Sequence, residues 1–175
     1  HQCYYRILGC LVDTLESQFG LCLLYDIHSY NYQRIEHATP VFNLGTSQLN
    51  KRKWHKEIEL LLGFLNDVEL PNIEVNAEVN SVFKGQGYQA AFIKENFANT
   101  LILPIEIKKV FMNEMSGDAF PLVIEKLKEA MKTVITEHAA ATIQRRTKVK
   151  RLTGSHILSS RLPREVIKLD RQLFS

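Results

Sequence analysis

Asp26 and His28 stand two positions apart in the run Tyr25-Asp26-Ile27-His28-Ser29-Tyr30, directly after the apolar segment Leu21-Cys22-Leu23-Leu24. The apolar segment reads as a buried strand over 21–26, which puts the pair where that strand ends. In α/β sheets the carboxyl ends of strands are where ligands and chemistry collect. A neutral imidazole there is a good metal ligand, and a nearby carboxylate can orient it. The same two residues also suit a plain polar turn, with His28 in solvent.

Glu106 is the second candidate. It lies in Thr100-Leu-Ile-Leu-Pro-Ile-Glu-Ile107, an almost wholly apolar run that reads as a buried strand. A carboxylate between Ile105 and Ile107 is partly desolvated, which raises its pKa toward the range of a general base. The bland alternative is an ion pair with Lys108 or Lys109. The third candidate is the turn Phe83-Lys84-Gly85-Gln86-Gly87-Tyr88. Its glycines let backbone approach a ligand, and Lys84 could meet an anion. It lacks the spacing of a P-loop.

These residues need elements to hold them. Tyr4, Leu8, Leu11, Val12, Leu15 and Phe19 form one helical stripe, so 2–18 reads as a helix stopped by Gly20. Residues 27–50 read mostly as loop, with a short strand around 39–44. Trp54, Ile58, Leu61, Leu62 and Leu65 predict a helix over 51–66. Strict alternation over 73–79 predicts a half-exposed strand near a sheet edge. A short helix is expected over 88–97 and a long one over roughly 119–143, with His138 packed on its apolar stripe. Pro104 predicts a strand end or a bulge. The alternation of helices and strands gives an α/β fold, a mixed sheet flanked by helices.

Composition excludes some classes. The 175 residues are 45% hydrophobic and 23% charged, as in a globular protein, and hold no membrane-length apolar run. Cys3, Cys10 and Cys22 lie in apolar surroundings without CxxC spacing. They read as reduced, packed thiols, which points to the cytoplasm rather than to a cysteine zinc site. The N-terminus does not resemble a signal peptide. It also lacks a methionine, so a preceding segment is expected. Residues 1–143 carry 13 Lys/Arg against 17 Asp/Glu, and 144–175 carry 9 against 2. The chain therefore divides into a mildly acidic α/β domain, 1–143, and a basic tail or linker, 144–175. The cluster Arg145, Arg146, Lys148, Lys150 and Arg151 suits a solvated helix end. Nucleic-acid binding is the alternative, and no interleaved aromatic residue supports it.

Taken together, four blocks resemble the N-formylglutamate amidohydrolase family. They are Tyr25-Asp-Ile-His-Ser-Tyr-Asn31, Asn43-Leu-Gly-Thr46, Phe83-Lys-Gly-Gln-Gly-Tyr88 and Leu103-Pro-Ile-Glu-Ile-Lys-Lys-Val-Phe-Met-Asn-Glu114. The resemblance covers 1–143. It implies a fold similar to zinc carboxypeptidases and succinylglutamate desuccinylases. It also implies a metal-dependent amidohydrolase acting on linear amides: one Zn2+, an N-acyl amino acid as substrate, and an amine plus a carboxylate as products. His28 matches a zinc ligand, Asp26 its orienting neighbour and Glu106 the general base. Lys84 and Asn31 are weaker candidates for substrate contact.

The family's other two ligands, a histidine and a glutamate, lie upstream of the part that matches residue 1, as does its arginine-bearing motif. An internal set of His28, Glu36 and His37 is a remote substitute, and His1, His55 and His156 have no ligand-like spacing. The expectation is that the missing ligands precede residue 1, and that an upstream segment or a second copy covers the sheet. The alternative is a non-catalytic binding or structural module that keeps the fold without a complete metal site.

Overall fold

The computed structural model describes the backbone of residues 2–152 and side chains as far as Thr147 and Lys148. The chain divides into two units, 1–142 and 143–175. The first contains four strands and the helices that flank them, the last of which continues past residue 142. They run α1 Gln2–Phe19, β1 Cys22–Tyr30, β2 Phe42–Leu44, α2 Lys51–Asn66, β3 Ala77–Val79, α3 Tyr88–Asn96, β4 Thr100–Lys108 and α4 Pro121–Leu152. The sheet order is β1-β4-β2-β3. β1 and β4 are parallel, β4 and β2 antiparallel, and β2 and β3 parallel, so the sheet is mixed as expected.

Helix limits follow local chemistry. α1 ends where Gly20 takes φ 69° and its N–H returns to the Glu16 carbonyl. A left-handed residue is natural for glycine at that place. The Glu16 carboxylate then accepts from Asn99 N at 2.9 Å and Thr100 Oγ1 at 2.6 Å, tying the helix end to the start of β4. α2 starts at Asn50, whose side chain accepts from the Lys53 N–H at 3.1 Å.

The sheet separates two apolar layers. Leu101, Leu103, Ile105 and Ile107 of β4 pack with Phe42 and Leu44 against Trp54, Ile58 and Leu61 of α2 and Leu127, Met131 and Val134 of α4. On the other face Cys22 and Ile102 meet Val12 of α1 and Ala90 and Ile93 of α3. The alternation of side chains along a strand assigns each residue to one layer.

His138 is wholly buried on α4. Its Nε2 donates to the Glu57 carbonyl at 2.9 Å, so Nδ1 accepts from the Tyr25 hydroxyl at 2.5 Å. Burial lowers the pKa of the imidazole and raises that of the phenol. The packed core histidine is therefore also a bridge from α4 to the sheet and to α2.

Several expectations need correction. β1 does not stop at Asp26; it runs to Tyr30, because β4 offers a nine-residue parallel partner. Residues 73–76 are outside the sheet, Ile73 forming an isolated bridge with Leu70, and only 77–79 pair with β2, at the sheet edge. Pro104 lies in mid-strand without a bulge. Its carbonyl accepts from Gly45 N at 2.9 Å, on the side where β2 pairing has just ended at Leu44 opposite Ile105. The N–H and C=O of one strand residue point the same way, so the missing proline N–H faces Gly45 just past the end of β2, and the parallel ladder with β1 loses no bond.

α4 starts two residues later than expected and extends to Leu152, since Lys and Arg sustain a helix well. The α1 stripe is only half used: Val12 is buried, but Tyr4, Leu11 and Phe19 are exposed. Cys22 is packed, whereas Cys3 and Cys10 face solvent. Of the basic tail, 153–175 lie outside the described residues. No described helix is long and apolar enough to cross a membrane.

Candidate functional site

The faces of β1 and β4 that look toward α3 change character along their length. They begin apolar, with Cys22, Leu24 and Ile102 in the small core. They continue with Asp26 opposite Pro104, and then with His28 opposite Glu106. The other face of β4 stays apolar throughout. Three candidate groups thus share one face, at the carboxyl ends of two parallel strands.

Asp26 Oδ1 lies 2.7 Å from His28 Nε2. The i, i+2 spacing within a strand makes this possible, since both side chains project to the same side. The carboxylate is the drier partner, with 19% of its side chain exposed against 59% for His28. With its proton on Nε2 and donated to Asp26, the ring keeps its lone pair on Nδ1. Glu106 is half-buried. Desolvation raises its pKa, the nearby His28 lowers it in part, and Asp26 adds to the rise. The bland alternative of a pair with Lys108 does not hold, because Lys108 Nζ turns to the Thr39 carbonyl at 3.3 Å and the Tyr32 ring at 4.3 Å.

Asp26, His28 and Glu106 line an open cavity of about 530 Å3. The segment 82–87, which brings Lys84 and Gln86, and Ala90 of α3 complete its lining with Pro104. The segment can cross here because Gly45 and Gly85 are in backbone contact. A Cβ on Gly45 would stand 2.5 Å from Gly85 Cα and N, and Gly85 itself has φ 69°. Lys84 is exposed at the cavity, whereas Asn31 is exposed beyond β1 and does not line it.

The metal question can be put to these donors. An imidazole backed by a carboxylate is half of a familiar histidine–metal arrangement. Yet no group of three His, Cys, Asp or Glu side chains among the described residues is placed to hold a metal ion. Glu36 and His37 are therefore not assembled with His28, and His55 pairs with Glu59 on the surface of α2.

A crystal structure of N-formylglutamate amidohydrolase from Ralstonia eutropha JMP134 has a similar fold. The TM-score is 0.57 at 18% sequence identity, over 82% of this chain and 52% of that one. The chain thus spans about half the length of that structure. The likeness establishes the α/β fold expected from the sequence motifs. No family model and no curated protein matches the sequence.

The motifs gave no role to Asn43, although it is completely buried beside Glu106. The signal available was a polar residue between Phe42 and Leu44, in a short strand otherwise built for the core.

Proposed function

We propose that this chain forms part of a metal-dependent amidohydrolase that cleaves the amide of a small N-acyl amino acid, N-formylglutamate-like, to an amine and a carboxylate. The observation that carries it is the convergence of Asp26, His28 and Glu106 on one cavity faced by Lys84.

In this reading Glu106 accepts the proton of a water molecule aimed at the amide carbonyl and returns it to the leaving nitrogen. A desolvated carboxylate suits both halves of that task, since its raised pKa brings acid and base forms closer in energy. Lys84 meets a carboxylate of the substrate, with Asn31 as a weaker contact. Asp26 holds the His28 ring through Nε2 and leaves Nδ1 as the metal ligand. The remaining ligands come from residues outside those described, in a segment preceding residue 1. A bound zinc ion would supply an activated water and polarise the carbonyl.

The same reading gives the edge of β1 a partner. Among the described residues β1 pairs with β4 alone. A preceding segment or a second copy would cover that edge, since bare strands invite pairing. The exposed thiols of Cys3 and Cys10 fit a reducing, cytoplasmic setting.

The test is zinc analysis and turnover of N-formyl-L-glutamate by the longest natural form of the protein, beside His28→Ala and Glu106→Gln. His28→Ala should lower bound zinc, and Glu106→Gln should hold zinc but lose turnover. Equal zinc in wild type and His28→Ala sinks the ligand assignment. The lack of a three-ligand group among the described residues favours a second reading, a non-catalytic module on the same fold. Zinc-free, inactive protein in its longest natural form would decide for that one.

A further inference from the structure

The block Asn43-Leu44-Gly45-Thr46 takes no part in the chemistry above, yet it meets the cavity wall at several points. Asn43 stands opposite Glu106 in the antiparallel register of β2 and β4, and none of it is exposed. Its Oδ1 accepts from Val82 N at 2.8 Å and Phe83 N at 3.3 Å. Its Nδ2 donates to the Phe83 carbonyl at 2.8 Å. Three hydrogen bonds from one side chain thus converge on the two residues before Lys84. Ser47 N donates to the Lys84 carbonyl at 2.9 Å, and Gly45 bears on Gly85. Residues 83–87 have no strand or helix of their own, so these contacts supply their backbone order.

We propose that Asn43 is a positioning residue, whose buried side-chain amide fixes the 82–87 segment in the lining of the cavity that Lys84 shares with Glu106. The inference rests on the reading of this cavity as the substrate site. The amide is the side chain that fits. A leucine would leave two backbone N–H groups and a carbonyl without partners. An aspartate would lose the donor and set a second carboxylate beside Glu106. A serine is too short to span both N–H groups.

The experiment compares backbone amide hydrogen exchange in the full chain with Asn43 and with Asn43→Ser, together with kinetics on N-formyl-L-glutamate. The amides of Val82 and Phe83 should exchange at least about tenfold faster in the variant, with those of β1 and β4 unchanged. KM should rise about tenfold while kcat changes less than about threefold, the mark of a displaced binding wall. Unchanged exchange at Val82 and Phe83 overturns the proposal. So does faster exchange throughout the sheet, which marks a residue that only supports the fold. Wild-type protein without turnover refutes the functional reading, while the exchange pattern still decides the role of Asn43. If the variant does not fold, wild-type NMR decides. A coupling across the hydrogen bond from Val82 N to Asn43 Cγ supports the clamp, and its absence overturns it.

Discussion

Gly45 and Gly85 touch through their backbones, with no room between them for a single added carbon. The crossing lets the segment that carries Lys84 lie against the end of β2.

Substitution at this crossing should be costly. Gly45→Ala forces two main chains apart and should lower stability by about 1–3 kcal/mol in urea denaturation, as overpacking does. Gly85→Ala should cost at least as much, because φ 69° adds a left-handed penalty. Gly63 is the control. It sits within α2 with nothing near its missing Cβ, so Gly63→Ala should stabilise by about 0.5–1 kcal/mol.

Glu106 should leave a signature in the pH dependence of stability. Its folded pKa is raised, chiefly by desolvation, so the folded chain holds this proton to higher pH than the unfolded chain does. The associated stability is present below the ordinary glutamate range and is lost as pH rises through the raised value. Glu106→Gln should therefore be more stable than wild type at pH 7, and the difference should fade in acid. Urea midpoints of both proteins across pH check this. If Glu106 is the base, the acid limb of kcat/KM should lie above the ordinary glutamate range.

His138 has the opposite sign. Burial lowers its pKa, so the unfolded chain takes up the proton first as pH falls below about 6.5. Stability is full above that value and declines as pH falls toward the lowered one. His138→Gln should flatten this region of the curve. Tyr25→Phe leaves Nδ1 of the buried ring without its donor and should cost about 1–3 kcal/mol at pH 7 by thermal or urea unfolding.

Asp26→Asn tests the orienting role. The substitution keeps the shape but removes the charged acceptor at Nε2. If His28 is a ligand, zinc affinity of the longest natural form should fall about 10–100-fold in competition with a chelator. No change in affinity would assign the pair to a polar surface contact.

Helical periodicity and caps made most of this fold readable from residues alone. α2 was legible to the residue, since the apolar spacing from Trp54 continues to Leu65. β1 was read too short because residues 27–30, with His28, Ser29 and Tyr30, look like loop, and only the partnership with β4 shows them as strand. Pro104 misled for a related reason. Its penalty depends on which neighbouring strand the missing N–H would face, and here that is the end of the three-residue β2 rather than the nine-residue β1. At the site, Asp26, His28 and Glu106 were visible as chemistry in apolar company. Asn43 was not, because its partners lie about 40 residues away in a segment without periodicity.

The division of β4 between two faces ties the site to the core. Ile105 and Ile107 point into the large apolar layer, while Pro104 and Glu106 face the cavity. A slip of β4 by one residue against its neighbours would exchange the two sets at once, thrusting the carboxylate into the core and two isoleucines into water. Misregistered chains are thus selected against by hydrophobic burial alone, and every molecule that folds carries Glu106 opposite His28.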